Sequence, residues 1–166
     1  MSDERGFSVL ELAVASALLL AVLVPVLSAL DSGVRTQAHQ QARSDALDEV
    51  RWVVQRLSKE VRQAVWIDPS STGSRLVMRT ITAGSVHDVA YEVDGGTLAR
   101  SADAGTPVVV TAGVVVAGSG FVYEPAIGGD SAPTLVRLSL SIRPRAPGSE
   151  PVTLETDVHL RNSGAT

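Results

Sequence analysis

The pattern of hydrophobic and polar positions changes period twice along the chain. From Phe7 to Leu30 almost every position is apolar, and Glu11 is the only charge. Alanine, leucine and valine dominate this run, so it forms helix readily as well as avoiding water. A helix over Leu12 to Leu30 rises about 28 Å at ~1.5 Å per residue, close to the thickness of one hydrocarbon core. Pro25 lacks an N–H and crowds the carbonyl of Ala21, which predicts a kink or local melting there. Beyond Leu30 the apolar positions thin to every third or fourth residue. Leu47, Val50, Val54, Leu57, Val61 and Ala64 share one helical face, while Asp45, Asp48, Glu49, Arg51, Lys59 and Arg62 lie largely on the rest. This spacing predicts an amphipathic continuation over 31–67 that packs on the chain's own sheet. Burying those side chains contributes about 10 kcal/mol before conformational entropy is charged. A coiled coil needs a longer run of heptads than this one supplies. Arg56 and Glu60 are spaced for an i,i+4 contact, and Trp52 and Trp66 fall at the edge of the packed face.

The period then shifts to two. Asp68-Pro69 ends the helix, because the residue before a proline avoids helical geometry, and the small polar residues to Ser74 form a loop. Strands are predicted over Arg75–Thr82, over Asp88–Val93 and Thr97–Arg100 around an Asp94-Gly95-Gly96 turn, and within Pro107–Val116, with Gly113 as turn or bulge. Gly120–Glu124 reads as a further short strand, and Ile127–Pro133 as a loop. Leu135–Arg143 and Val152–Arg161 alternate cleanly on either side of a Pro144–Pro151 loop. No stretch repeats another. A long helix, transmembrane then amphipathic, followed by an antiparallel β-sheet is an α+β order.

Composition narrows the chemistry. The chain has 166 residues, a net charge of −4 and a pI near 5.3, which gives no basic footprint for nucleic acid. It has no cysteine, so disulfides and thiol nucleophiles are excluded, and its hydrophobic content of 45% must supply the core. The Gly-x-Ser-x-Gly elbow, the phosphate-binding Gly-Lys-Ser/Thr loop and the His-Glu-x-x-His zinc motif are all missing. Gly118-Ser119-Gly120 holds two glycines of a dinucleotide fingerprint but lacks the third and precedes a strand. His39, His87 and His159 are scattered, so no metal site is expected from them. His87-Asp88 has the makings of an oriented imidazole without a nucleophile beside it. Asp94 and Asp130 sit in glycine turns, where turn geometry accounts for them. No cofactor and no enzymatic activity are expected.

Glu11 needs a different explanation, because a carboxylate inside an apolar span costs about 3 kcal/mol to insert. With its neighbours Gly6-Phe7-Ser8-Val9-Leu10-Glu11-Leu12-Ala13-Val14-Ala15 it resembles the prepilin signal of the type IV pilin superfamily. That superfamily includes type IV pili, competence pili and type II secretion pseudopili. The resemblance implies cleavage between Gly6 and Phe7 by a prepilin peptidase, N-methylation of Phe7, and pairing of Glu11 with the N-terminal amine of a neighbouring subunit. It divides the chain into a leader (1–6), a transmembrane or filament-core helix (7–30), the amphipathic continuation (31–67) and an extracytoplasmic β domain (68–166). The leader departs from the family's usual basic character, since Asp3 and Glu4 outweigh Arg5. The Leu57 to Ala64 helix end, Tyr91 to Arg100 and Val158 to Asn162 are similar to patterns in the larger minor subunits, pseudopilin J and minor pilin W. The partners implied are the prepilin peptidase, other pilin or pseudopilin subunits, the inner-membrane assembly platform and membrane lipid. The location implied is a single pass through the cell membrane, then a pilus or pseudopilus at the cell surface or in the periplasm.

Two other readings fit the same anchor. In one, the β domain is a membrane-anchored extracytoplasmic binding module or adhesin that never polymerises. In the other it is an anchored hydrolase, which the missing motifs disfavour. A secretory signal peptide would need a positive n-region, a shorter apolar stretch and a small-x-small cleavage site, and Leu27-Ser28-Ala29 places a leucine where a small residue belongs.

Overall fold

The computed structural model describes residues 9–82, 84–129 and 131–161. Helix α1, Val9–Gln63, is followed by strands β1 (Ala64–Ile67), β2 (Arg75–Thr82), β3 (Ser85–Asp94), β4 (Thr97–Ala102) and β5 (Val108–Ala112). After a 3₁₀ turn at Val116–Gly118 come β6 (Gly120–Glu124), β7 (Leu135–Ile142) and β8 (Val152–His159). The architecture is α+β, a long N-terminal helix with antiparallel sheet packed against it. Internal contacts divide the chain into two units, one ending at Gln41 and one beginning at Ala42.

Within the first unit α1 continues across Pro25 without a break, so the local melting that this proline permits does not occur. Its large side chains are exposed throughout, from Val9 to Val34. The Ser16 and Ser28 hydroxyls donate to the Leu12 and Val24 carbonyls at 2.8 and 3.0 Å, which satisfies two polar groups inside the apolar run. Asp31 and Arg35 pair at 3.0 Å just past its end.

The second unit holds the core. Its strands form a five-stranded meander, β1-β2-β3-β4-β5, and a three-stranded one, β6-β7-β8, so the expected sheet is in fact two. Gly113, with φ near +73°, turns the chain out of β5 and lets Val114 bridge to Ile142 of the other sheet. The helix face that covers both sheets carries Ala46, Val50, Val53, Val54, Leu57 and Val61. Val53, Val54 and Leu57 meet Val93 and Leu98 of one sheet and Phe121, Leu138 and Leu140 of the other. Two sheets demand a wider stripe than one. Val53 and Ala46 therefore join the expected positions, while Leu47 is only half-buried.

Helix ends at Gln63, four residues before the expected boundary. Ala64-Val65-Trp66-Ile67 pairs instead with β2, with Trp66 opposite Arg79 and Ile67 opposite Met78. A β-branched and aromatic run fits a pleated, half-buried surface better than a last helical turn. Ala64 keeps its expected burial from a strand position.

Candidate functional site

The residues that resist a purely structural account lie at the start of α1. Glu11 occupies the first turn, where the helix dipole favours a carboxylate, and apolar side chains flank it on its own face at Leu10, Val14, Ala15 and Leu18. It makes no ion pair among the described residues. The apolar window of α1 has a mean hydropathy of 2.5 and none of it is buried, so by length and composition this helix suffices to cross a membrane. Gly6 and Phe7 lie outside the described residues.

Elsewhere the structure sorts titratable groups into structural pairs. His87 Nδ1 sits 2.8 Å from Asp103 Oδ2, and the other Asp103 oxygen accepts the Asp88 backbone N–H at 3.0 Å. Those two bonds, the histidine's first, hold the Asp103 carboxyl below its usual range. The expected His87-Asp88 pairing is therefore corrected, because alternation along β3 puts adjacent side chains on opposite faces. Asp88 instead takes Arg79 Nε at 2.8 Å on the outer face, where Arg79 also covers the Trp66 ring. His39 lies on α1 in the first unit, and His159 at the end of β8. Among the described residues no three metal-ligating side chains converge. The Asp94-Gly95-Gly96 turn takes positive φ at both glycines, 53° and 79°, as a tight hairpin requires; Asp130 lies outside the described residues.

The pairing least visible in the sequence clamps α1 to β4. Arg100 Nε donates to Glu60 Oε2 at 3.0 Å, so the predicted Arg56–Glu60 contact, at 3.7 Å, is the lesser one. Beside this pair the buried Tyr91 hydroxyl finds no hydrogen-bond partner among the described residues. Burial first, then the Glu60 charge, pushes the Tyr91 phenol from 10.0 up to about 12. Burial raises Tyr123 as well, while its hydroxyl lies 3.0 Å from both the Thr72 and Arg75 carbonyls, which accept its proton.

A raised phenol favours the fold while it is neutral. This contribution is complete below the unfolded value near 10 and is lost as pH climbs through about 12. Since these are the only two tyrosines, ultraviolet absorbance should report their ionisation directly. Tyrosinate should appear late, above pH ~11, and together with loss of the near-ultraviolet dichroism. Free titration near the ordinary value, with the fold intact, would contradict the burial.

The chain matches no protein-family model, no curated protein and no solved structure.

Proposed function

We propose that this chain is a structural subunit, of the minor kind, of a type IV pilus, a competence pilus or a type II secretion pseudopilus. The observation that carries the reading is Glu11: a carboxylate with no ion pair among the described residues, in an apolar run whose large side chains are all exposed, five positions after the Gly6–Phe7 step. Such a helix is costly alone in water and needs lipid or other helices around it. In the proposed sequence of events a prepilin peptidase releases residues 1–6 and Phe7 is methylated. The chain waits in the cell membrane by a single pass, with the β domain extracytoplasmic. The assembly platform then moves the helix from lipid into a bundle of like helices, where Glu11 meets the amine of a neighbouring subunit. The role is structural rather than enzymatic.

The Gly6–Phe7 bond separates this reading from an anchored adhesin, since only a filament subunit needs cleavage there. Co-expression with a prepilin peptidase should give a membrane-fraction intact mass lacking Met1 to Gly6 and carrying one added methyl group. Gly6→Leu should crowd the scissile bond and leave the leader attached. A chain that keeps its leader, beside a control pilin that is cut, would leave a plain anchor and favour the adhesin.

A further inference from the structure

The edge of the smaller sheet opens a second surface, independent of how the anchor is used. Strand β8 is the last of its sheet. Its register with β7 pairs Val158 with Val136 and Thr156 with Leu138, and the Leu160 N–H reaches the Thr134 carbonyl at 2.9 Å. By alternation, even-numbered residues of β8 bond to β7, and the backbone groups of Thr153, Glu155 and Asp157 point outward. Those outward groups have no backbone partner among the described residues. At its far end the same edge meets the helix, where the Arg161 N–H donates to the Arg62 carbonyl at 3.4 Å. From that contact a groove of about 840 Å³ opens between α1 and β8, with Val54 and Leu154 among its apolar lining.

The groove is cationic. Lys59, Arg62 and Arg161 line it without an ion-pair partner among the described residues, and Arg51 adds a charge held only by an exposed Asp48 at 3.5 Å. Glu155 is its only acidic lining residue. We propose that this groove takes an extended segment of a partner protein that alternates apolar and acidic residues and adds as a strand to the β8 edge. Its main chain would satisfy the outward groups of Thr153, Glu155 and Asp157. By alternation its carboxylates would share the face toward α1, where they meet the Lys59 and Arg62 charges, and its apolar side chains would share the opposite face. A second copy of this chain is the poorer occupant, because it would bring a second set of Lys59, Arg62 and Arg161 charges to the same seam.

The test uses the full chain in detergent micelles and two blocked octapeptides, one alternating valine with glutamate and one alternating valine with lysine. Amide hydrogen exchange is followed along β8. The glutamate peptide should slow exchange at Glu155 and Asp157 saturably, by about tenfold or more, and the lysine peptide should not. Lys59→Glu combined with Arg62→Glu should weaken that binding by about tenfold, two charge contacts being reversed. Glu155→Pro removes an outward N–H without touching the β7 ladder, and should abolish the protection. Should that variant fail to fold, the charge-reversal pair carries the test. Equal binding of the two peptides, binding without edge protection, or protection that grows with protein concentration and no peptide would each overturn the proposal.

Discussion

Glu11→Leu should leave a chain that enters the membrane at least as well as the native one but is depleted from filaments by about a hundredfold or more. The two effects have opposite signs for one reason. In lipid the carboxylate is a cost of about 3 kcal/mol, so removing it helps insertion. In the proposed helix bundle the same carboxylate would neutralise a neighbour's terminal amine, and removing one partner of a buried ion pair costs about 3–5 kcal/mol. Glu11→Gln should behave like the leucine variant, because a neutral amide cannot cancel the amine's charge. Glu11→Asp, shorter but charged, should retain partial incorporation. Alkaline extraction of membranes measures the first effect, and immunoblots of sheared filaments beside total membrane measure the second. Native-level incorporation of Glu11→Leu would remove the electrostatic role proposed for this residue.

What the sequence made legible follows from how local each signal is. The bounds of β2 agree at both ends, Arg75 and Thr82, because alternation there is framed by a Ser/Thr/Gly loop before it and a glycine turn after it. The β3–β4 hairpin turns at Asp94-Gly95-Gly96, where positive φ leaves little choice of residue. By contrast Ala64 fits the end of the helical stripe and the start of a strand equally well. Pairing of Trp66 with Arg79 and Ile67 with Met78, a long-range matter, decides it. The split into two sheets is hidden for a similar reason, since a period of two says which face is buried and not which strands are neighbours. The Glu60–Arg100 and His87–Asp103 pairs join residues forty and sixteen positions apart, beyond the reach of any spacing rule. The candidate assembly site shows the reverse case. Glu11 is conspicuous in the sequence alone, because a charge in an apolar run is costly to place in lipid. The role proposed for it requires another chain.

The glycines that resemble a piece of a dinucleotide fingerprint have a packing explanation, and it leads to the largest expected change in stability. A Cβ on Gly120 would lie 2.5 Å from the Gly73 carbonyl oxygen, a distance that no relaxation of a flexible side chain relieves, because the obstacle is backbone. That carbonyl accepts the Phe121 N–H at 2.8 Å, and the Tyr123 hydroxyl reaches the Thr72 and Arg75 carbonyls at 3.0 Å. One close approach thus seats the loop before β2 on β6 and closes the core over Phe121 and Tyr123, both buried. Gly120→Val should push the loop off the strand, costing about 1–3 kcal/mol in displaced backbone and about 1 kcal/mol more for the lost Phe121 bond. Gly118 is a milder case, since its Cβ would meet the Ser141 side chain at 3.1 Å. Gly73→Ala is the control on the opposite wall, where the nearest atom, the Phe121 carbonyl oxygen, lies at an ordinary 3.9 Å. Urea unfolding of the full chain in detergent, followed by tryptophan fluorescence, should rank Gly120→Val well below Gly118→Ala, with Gly73→Ala near the native midpoint. A Gly120→Val chain as stable as the native one would mean that β6 and this loop do not approach as closely as the glycine permits.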